Sequence, residues 1–222
     1  LHLVSRTEED LLTAKSQINA ISNVDITLYP LDLSQSSNID KLAQKCTEID
    51  ILVNNAGAIP AGNIESIDEQ RWREAWDLKV FGYINMTRRF YPLIKNNGGG
   101  VIMNVIGLAG VRVDRNYIAG SAGNASIIGF TNAMGAHALD EGMRVLGVCP
   151  GAVQTERITT MLKSRAKEEK GDEDRWQDYF SGMPLSRPAL VEEVADVVVF
   201  LCSDRASWLT GTTINLDGGV AN

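Results

Sequence analysis

Lys79 stands between Trp76 and Tyr83 in a stretch whose large apolar residues, Trp72, Trp76, Tyr83 and Phe90, recur at helical spacing. Helix geometry points such a lysine inward. Burial disfavours the ammonium form and depresses the pKa, as suits a proton-transfer group. The alternative is a packed stem whose head snorkels to water. Residues 116–131 read NYIAGSAGNASIIGFT and supply a phenol, a hydroxyl and an amide in Tyr117, Ser121 and Asn124. A phenol and an amine are the equipment of general acid–base chemistry. Tyr117 precedes Gly120 by three residues and shares its helical face if the helix reaches that far. It otherwise reads as a loop aromatic covering a helix start. Ser121 reads as a carbonyl-binding hydroxyl or as a helical serine back-bonded to its own chain.

Short apolar runs alternate with longer helix-period segments, which predicts a parallel sheet covered by helices. Strands are expected in 1–5, 24–33, 49–57, 100–107, 144–149 and 212–219. Helices are expected after Thr7 and Ser37, over 68–91 and 119–140, and around Val191–Cys202. The charges of segment 156–180 suggest a solvated helix pair, which carries Trp176 and Phe180. The fold class is therefore α/β, a doubly wound parallel sheet in a single domain over 1–222. The first strand leads into a helix with no Gly-rich turn, so a first strand, its phosphate-binding turn and its helix are expected upstream. An empty slot in the sheet would otherwise leave backbone groups unpaired.

The 222 residues suffice for one α/β domain, and the net charge of −7 argues against nucleic acid and anionic membranes. No apolar run is long enough to span a bilayer. Cys46, Cys149 and Cys202 lie far apart in apolar segments, which points to reduced thiols and a cytoplasmic protein. His2 and His137 cluster with nothing, so no metal site is expected.

The motifs NNAG at 54–57, Asp32-Leu33, PGAVQT at 150–155 and LTGTTINLDGG at 209–219 occur in an order and spacing that resemble the short-chain dehydrogenase/reductase family. The resemblance covers essentially the whole chain. It implies a Rossmann-like domain, a nicotinamide cofactor, and hydride exchange with a small-molecule carbonyl or alcohol. It also implies a homodimer or homotetramer built through the two long helices, where the small residues of 119–126 allow close approach.

The resemblance assigns Asn55, Ala56 and Gly57 to the cofactor ribose, Asp32 and Leu33 to the adenine, and Pro150, Gly151, Val153 and Thr155 to the nicotinamide side. Ser5 stands where NAD-selective members carry an acid, and Arg6 follows. An arginine pairs with a 2′-phosphate, which favours NADP(H) over NAD(H).

The family's asparagine, serine, tyrosine and lysine align with Lys79, Gly107, Gly120 and Asn124, so all four positions depart from the pattern. Lysine and asparagine look exchanged, with Asn124 left to bond the ribose and Lys79 or Tyr117 to carry the proton. The expectation is an NAD(P)(H)-dependent oxidoreductase with a non-standard site. The alternative is a catalytically silent member serving as a cofactor-binding sensor or structural subunit.

Overall fold

Six short parallel strands form in the computed structural model, which describes residues 1–221. They are β1 (His2–Ser5), β2 (Thr27–Pro30), β3 (Ile51–Asn54), β4 (Gly100–Val105), β5 (Met143–Pro150) and β6 (Thr212–Leu216). Strands β3, β4, β5 and β6 pair in that order, and β1 pairs with β2. Among the described residues no ladder joins β1 to β3. All four pairings are parallel, so every strand delivers its following loop to the same edge of its sheet.

Helices α1 (Glu8–Ile21), α2 (Ser36–Lys45), α3 (Glu69–Trp76), α4 (Gly82–Asn96), α5 (Ile118–Gly135), α6 (Glu156–Lys170) and α7 (Val191–Cys202) complete the alternation. Two layers of helix cover the four-stranded sheet. Ile102 of β4 meets Phe90 and Ile94 of α4 and Leu42 of α2, while its neighbour Met103 faces Leu201 of α7 across the other surface. Strand β5 is buried at every position, including Arg144, whose guanidinium donates to the Leu201, Cys202, Ser203 and Ala206 carbonyls. Strand β3 differs. Leu52 and Asn54 are buried, but Ile51 and Val53 on the opposite face are 48% and 45% exposed.

The segment expected as one helix over 68–91 is built in three parts. Asp68 caps α3 by accepting the Arg71 N–H at 2.8 Å, then a π turn spans Asp77–Phe81, and α4 continues from Gly82. Single π turns inside α-helices are rare and cluster at functional sites. The charged segment forms two helices, as expected: α6 and a 3₁₀ helix over Glu173–Gly182. Trp176 and Phe180 sit there edge to face with centroids 5.3 Å apart.

No helix among the described residues is long and apolar enough to cross a membrane, and none of them forms a His/Cys/Asp/Glu group able to hold a metal ion.

Candidate active site

Parallel pairing brings the ends of β3, β4 and β5 together, with the loops 55–60, 106–117 and 151–155 beside them. A buried polar chain fixes the first of these. Asn54 donates to Asn104 Oδ1 at 2.9 Å, Asn104 donates to Thr131 at 2.9 Å, and Thr131 donates to the Ile127 carbonyl at 2.7 Å. These side chains are almost fully buried, and each bond satisfies a group that would otherwise be costly.

Lys79 lies within the π turn and is 7% exposed, so it does not snorkel. Its amine donates to the Tyr83 hydroxyl at 2.8 Å and to the Val105 carbonyl at 2.7 Å, and the Tyr83 hydroxyl donates to the same carbonyl at 2.9 Å. Lys79 enters no ion pair among the described residues. Burial lowers its pKa to about 7; the nearby Arg157 guanidinium acts in the same direction, and Cys149 opposes it. A neutral amine has two protons, and two acceptors receive them. Its lone pair remains available to take a third. Burial also pushes the Tyr83 phenol far above its ordinary value, so Tyr83 stays protonated and polarises the amine without titrating.

Tyr117 is not inside α5. It is the residue before the helix, with φ −135° and ψ 45°, which corrects the expectation that the helix might reach it. Its ring turns back over the first helical turn, and a Cβ added at Gly120 would overlap that ring. The phenol thus fills the place left by the absent side chain. Burial raises its pKa, and the Arg157 guanidinium beside it acts the other way. Ser121 differs from both readings of the sequence. Its hydroxyl accepts from the Asp114 N–H at 2.9 Å and donates to the Asp114 carbonyl at 3.3 Å, so it ties the preceding loop to α5.

Asn124 is 4% exposed and donates to the Gly120 carbonyl at 2.8 Å, while its Oδ1 has no partner. A Cβ on Gly107 would lie 3.3 Å from that oxygen. Gly107 has φ +144°, a conformation a side chain rarely tolerates, so a serine would strain this turn. The orphaned acceptor of Asn124 suits a hydroxyl donor such as a ribose, and its place by the ends of β4 and α5 suits a nicotinamide dinucleotide.

Other positions are arranged as follows. Gly57 lies against the Lys79 stem, where an added Cβ would be 3.3 Å from Cε. Asn55 is exposed and Ala56 half-buried at the end of β3. Asp32 Oδ1 accepts the Ser34 N–H at 3.0 Å, and Leu33 packs against the core. Pro150 is buried and the Gly151 N–H bonds the Leu216 carbonyl at 3.0 Å. Val153 bridges Ala189, and Thr155 caps α6 by accepting the Ile158 N–H at 3.4 Å. Arg6 is exposed just beyond β1, in the sheet that no ladder joins to β3.

Arg157 escaped the sequence reading. Its guanidinium donates to the Gly57 carbonyl at 3.1 Å and to the Ile59 carbonyl at 2.5 Å, and it is the charge felt by both Lys79 and Tyr117. One signal was present in the sequence. A cation in the first turn of a helix opposes the helix dipole.

Comparison with known proteins agrees with this architecture. The profile described as Enoyl-(Acyl carrier protein) reductase matches residues 2–221. An uncharacterized oxidoreductase of Thermotoga maritima is 34% identical over 182 residues, covering 82% of this chain and 70% of that protein. A 3-oxoacyl-acyl-carrier-protein reductase of the same organism is 33% identical over 185 residues, with coverages of 82% and 70%. The crystal structure of L-sorbose reductase from Gluconobacter frateurii with NADPH and L-sorbose superposes with a TM-score of 0.91 at 25% identity, covering 100% of this chain and 86% of that one. The profile match across the chain, the oxidoreductase relatives and the shared Rossmann-like architecture establish that this chain belongs to the short-chain dehydrogenase/reductase family of NAD(P)-dependent oxidoreductases.

Proposed function

We propose that this protein exchanges hydride between a nicotinamide dinucleotide and a small carbonyl or alcohol, with a relocated proton-transfer pair. The observation that carries the reading is the Tyr117 ring seated where a Gly120 side chain would project. A phenol has returned to the same pocket from a different position in the chain. Bound nicotinamide supplies or accepts the hydride. Tyr117 holds the proton at the substrate oxygen, and Lys79 relays protons through its amine lone pair. Asn124 Oδ1 would accept from a cofactor hydroxyl, Asn55, Ala56, Gly57, Pro150, Gly151, Val153 and Thr155 would hold the ribose and nicotinamide portions, and Asp32 and Leu33 would hold the adenine.

Arg6 supports NADP(H) over NAD(H), because a guanidinium pairs bidentately with a phosphate. NADPH is also the cofactor of the sorbose reductase structure. The reading includes a homodimer or homotetramer. The exposed face of α5 carries Ala125, Ser126 and Gly129, small enough for another helix to approach closely.

One observation favours the second reading, a silent cofactor-binding member. Both protons of the neutral Lys79 amine are already committed, to Tyr83 and to Val105. NADPH binding followed by fluorescence, combined with oxidation of NADPH in the presence of aldehydes, ketones and oxo acids, separates the two. Turnover that Tyr117→Phe abolishes supports the enzyme. Tight NADPH binding with no turnover across the panel would establish the sensor.

A further inference from the structure

The helix α6 carries a cation where its own dipole disfavours one. Arg157 is the second residue of α6, next to the positive end of the helix. Several cations of the following segment are neutralised, while Lys163 and Lys167 of α6 enter no ion pair among the described residues. Arg165 pairs with Glu169, Lys170 and Arg175 with Asp178, and Arg187 with Glu193. Arg157 takes part in no ion pair among the described residues. It rests instead on two uncharged backbone carbonyls, those of Gly57 and Ile59, about a hundred positions away in the chain.

Those partners lie in the wall of the candidate active site. Gly57 contacts the Lys79 stem on one side and receives Arg157 on the other, and Tyr117 stands beside the same guanidinium. Arg157 itself is exposed, so a ligand can reach it. Hydrogen bonds from a guanidinium to a carboxylate are charge-assisted and bidentate, roughly twice as strong as those to neutral acceptors. A carboxylate arriving at this wall would therefore outcompete the two carbonyls.

We propose that Arg157 is a specificity-determining residue that leaves the Gly57 and Ile59 carbonyls to grip a substrate carboxylate, making the substrate an oxo acid or hydroxy acid. This rests on the oxidoreductase reading. The carboxylate would anchor the substrate with its carbonyl or carbinol carbon directed toward Tyr117 and Lys79. No bond is made or broken in this step; the guanidinium exchanges one pair of acceptors for another.

The test uses the full chain and has two arms. In the first, thermal shift and tryptophan fluorescence titrations compare malonate with malonamide on the wild type, Arg157→Gln and Arg157→Lys. The expected result is that malonate binds the wild type, malonamide binds at least tenfold more weakly, Arg157→Gln loses the difference and Arg157→Lys keeps part of it. Equal binding of malonate and malonamide, or a malonate affinity unchanged in Arg157→Gln, overturns the proposal. Both variants are first checked for an unchanged melting temperature. If Arg157→Gln unfolds, the Arg157→Lys comparison decides.

The second arm compares NADPH oxidation with 2-oxo acids against their methyl esters. A preference for the acids of about 100-fold in kcat/KM is expected, lost in Arg157→Gln chiefly through KM. Turnover of acids and esters alike overturns the carboxylate proposal while leaving the oxidoreductase standing. Arg157-dependent malonate binding without turnover of any compound leaves the anion site standing and removes the oxidoreductase.

Discussion

The Tyr117 ring occupies the space that a side chain on Gly120 would need. The two residues are three apart, yet only one of them is helical. The space beside Gly120 is therefore not empty. It is filled from outside the helix, and the glycine is the condition for that filling.

Gly120→Ala should expel the ring. Adding one methyl group to a filled pocket costs about 1–3 kcal/mol, and activity should fall with it. In Gly120→Ala/Tyr117→Ala the clash is gone. Denaturation midpoints of the four proteins in the cycle should show a favourable coupling above about 0.5 kcal/mol. Simple additivity would mean that the ring does not sit against Gly120.

Lys79→Met should lower kcat by roughly 10²–10⁴ if the amine relays the proton. In the wild type the reduction rate should change around the Lys79 pKa of about 7, and the variant should lack that inflection. A rate within twofold of the wild type removes Lys79 from the mechanism.

The same burial makes stability depend on pH. Lys79 titrates at about 7 when folded and at 10.5 as a free group. Below pH 7 both states are protonated and the full cost of the buried charge is present. Between pH 7 and 10.5 the unfolded chain binds the extra proton, so stability rises with pH. Tyr83 is held protonated by burial and acts in the opposite sense only as pH approaches 10. Urea denaturation from pH 7 to 9.5 should show the wild type gaining stability relative to Lys79→Met. Parallel curves would contradict the assignment.

Asn124→Leu tests the orphaned oxygen. The substitution removes an unsatisfied buried acceptor, a relief of about 1–3 kcal/mol, and also removes the bond to the Gly120 carbonyl. Stability should move by less than about 1 kcal/mol, whereas NADPH affinity should fall about tenfold, the equivalent of one ordinary hydrogen bond. Unchanged affinity would show that the oxygen faces no ligand.

Arg6→Ala addresses cofactor choice. NADPH affinity should drop about tenfold and NADH affinity should be unchanged, as for loss of one charge-assisted contact at an exposed site. Equal losses for both would remove Arg6 from the discrimination.

Much of this was legible in the sequence. Alternating apolar runs gave the strands, because residues such as Ile102 and Met103 must face opposite layers and both be apolar. The stripe of Trp72, Trp76, Tyr83 and Phe90 correctly turned Lys79 inward. The π turn was not legible, because periodicity measures which face a residue shares and not how many backbone atoms close each ring. The path of Tyr117 was hidden for a related reason: a residue just outside a helix has no phase to extrapolate. Ser121 was misread because its partner, Asp114, belongs to a loop whose route only tertiary structure defines. Arg157 was visible as a charge in the wrong place, and its carbonyl partners were not, since they lie about a hundred positions upstream.

The π turn over Asp77–Phe81 has one more consequence. Deleting Leu78 would change no group invoked in the chemistry, yet an α-helix advances about 100° per residue. A π turn holds one residue more than an α turn, so the deletion would let it close as α while α3 and α4 keep their faces. Only the residues inside the turn would swing, and the Lys79 amine would be carried off the Val105 carbonyl. An alignment that scores identities alone would rate such a deletion as trivial, although the place of the amine is set by the arithmetic of chain length as firmly as by any side chain.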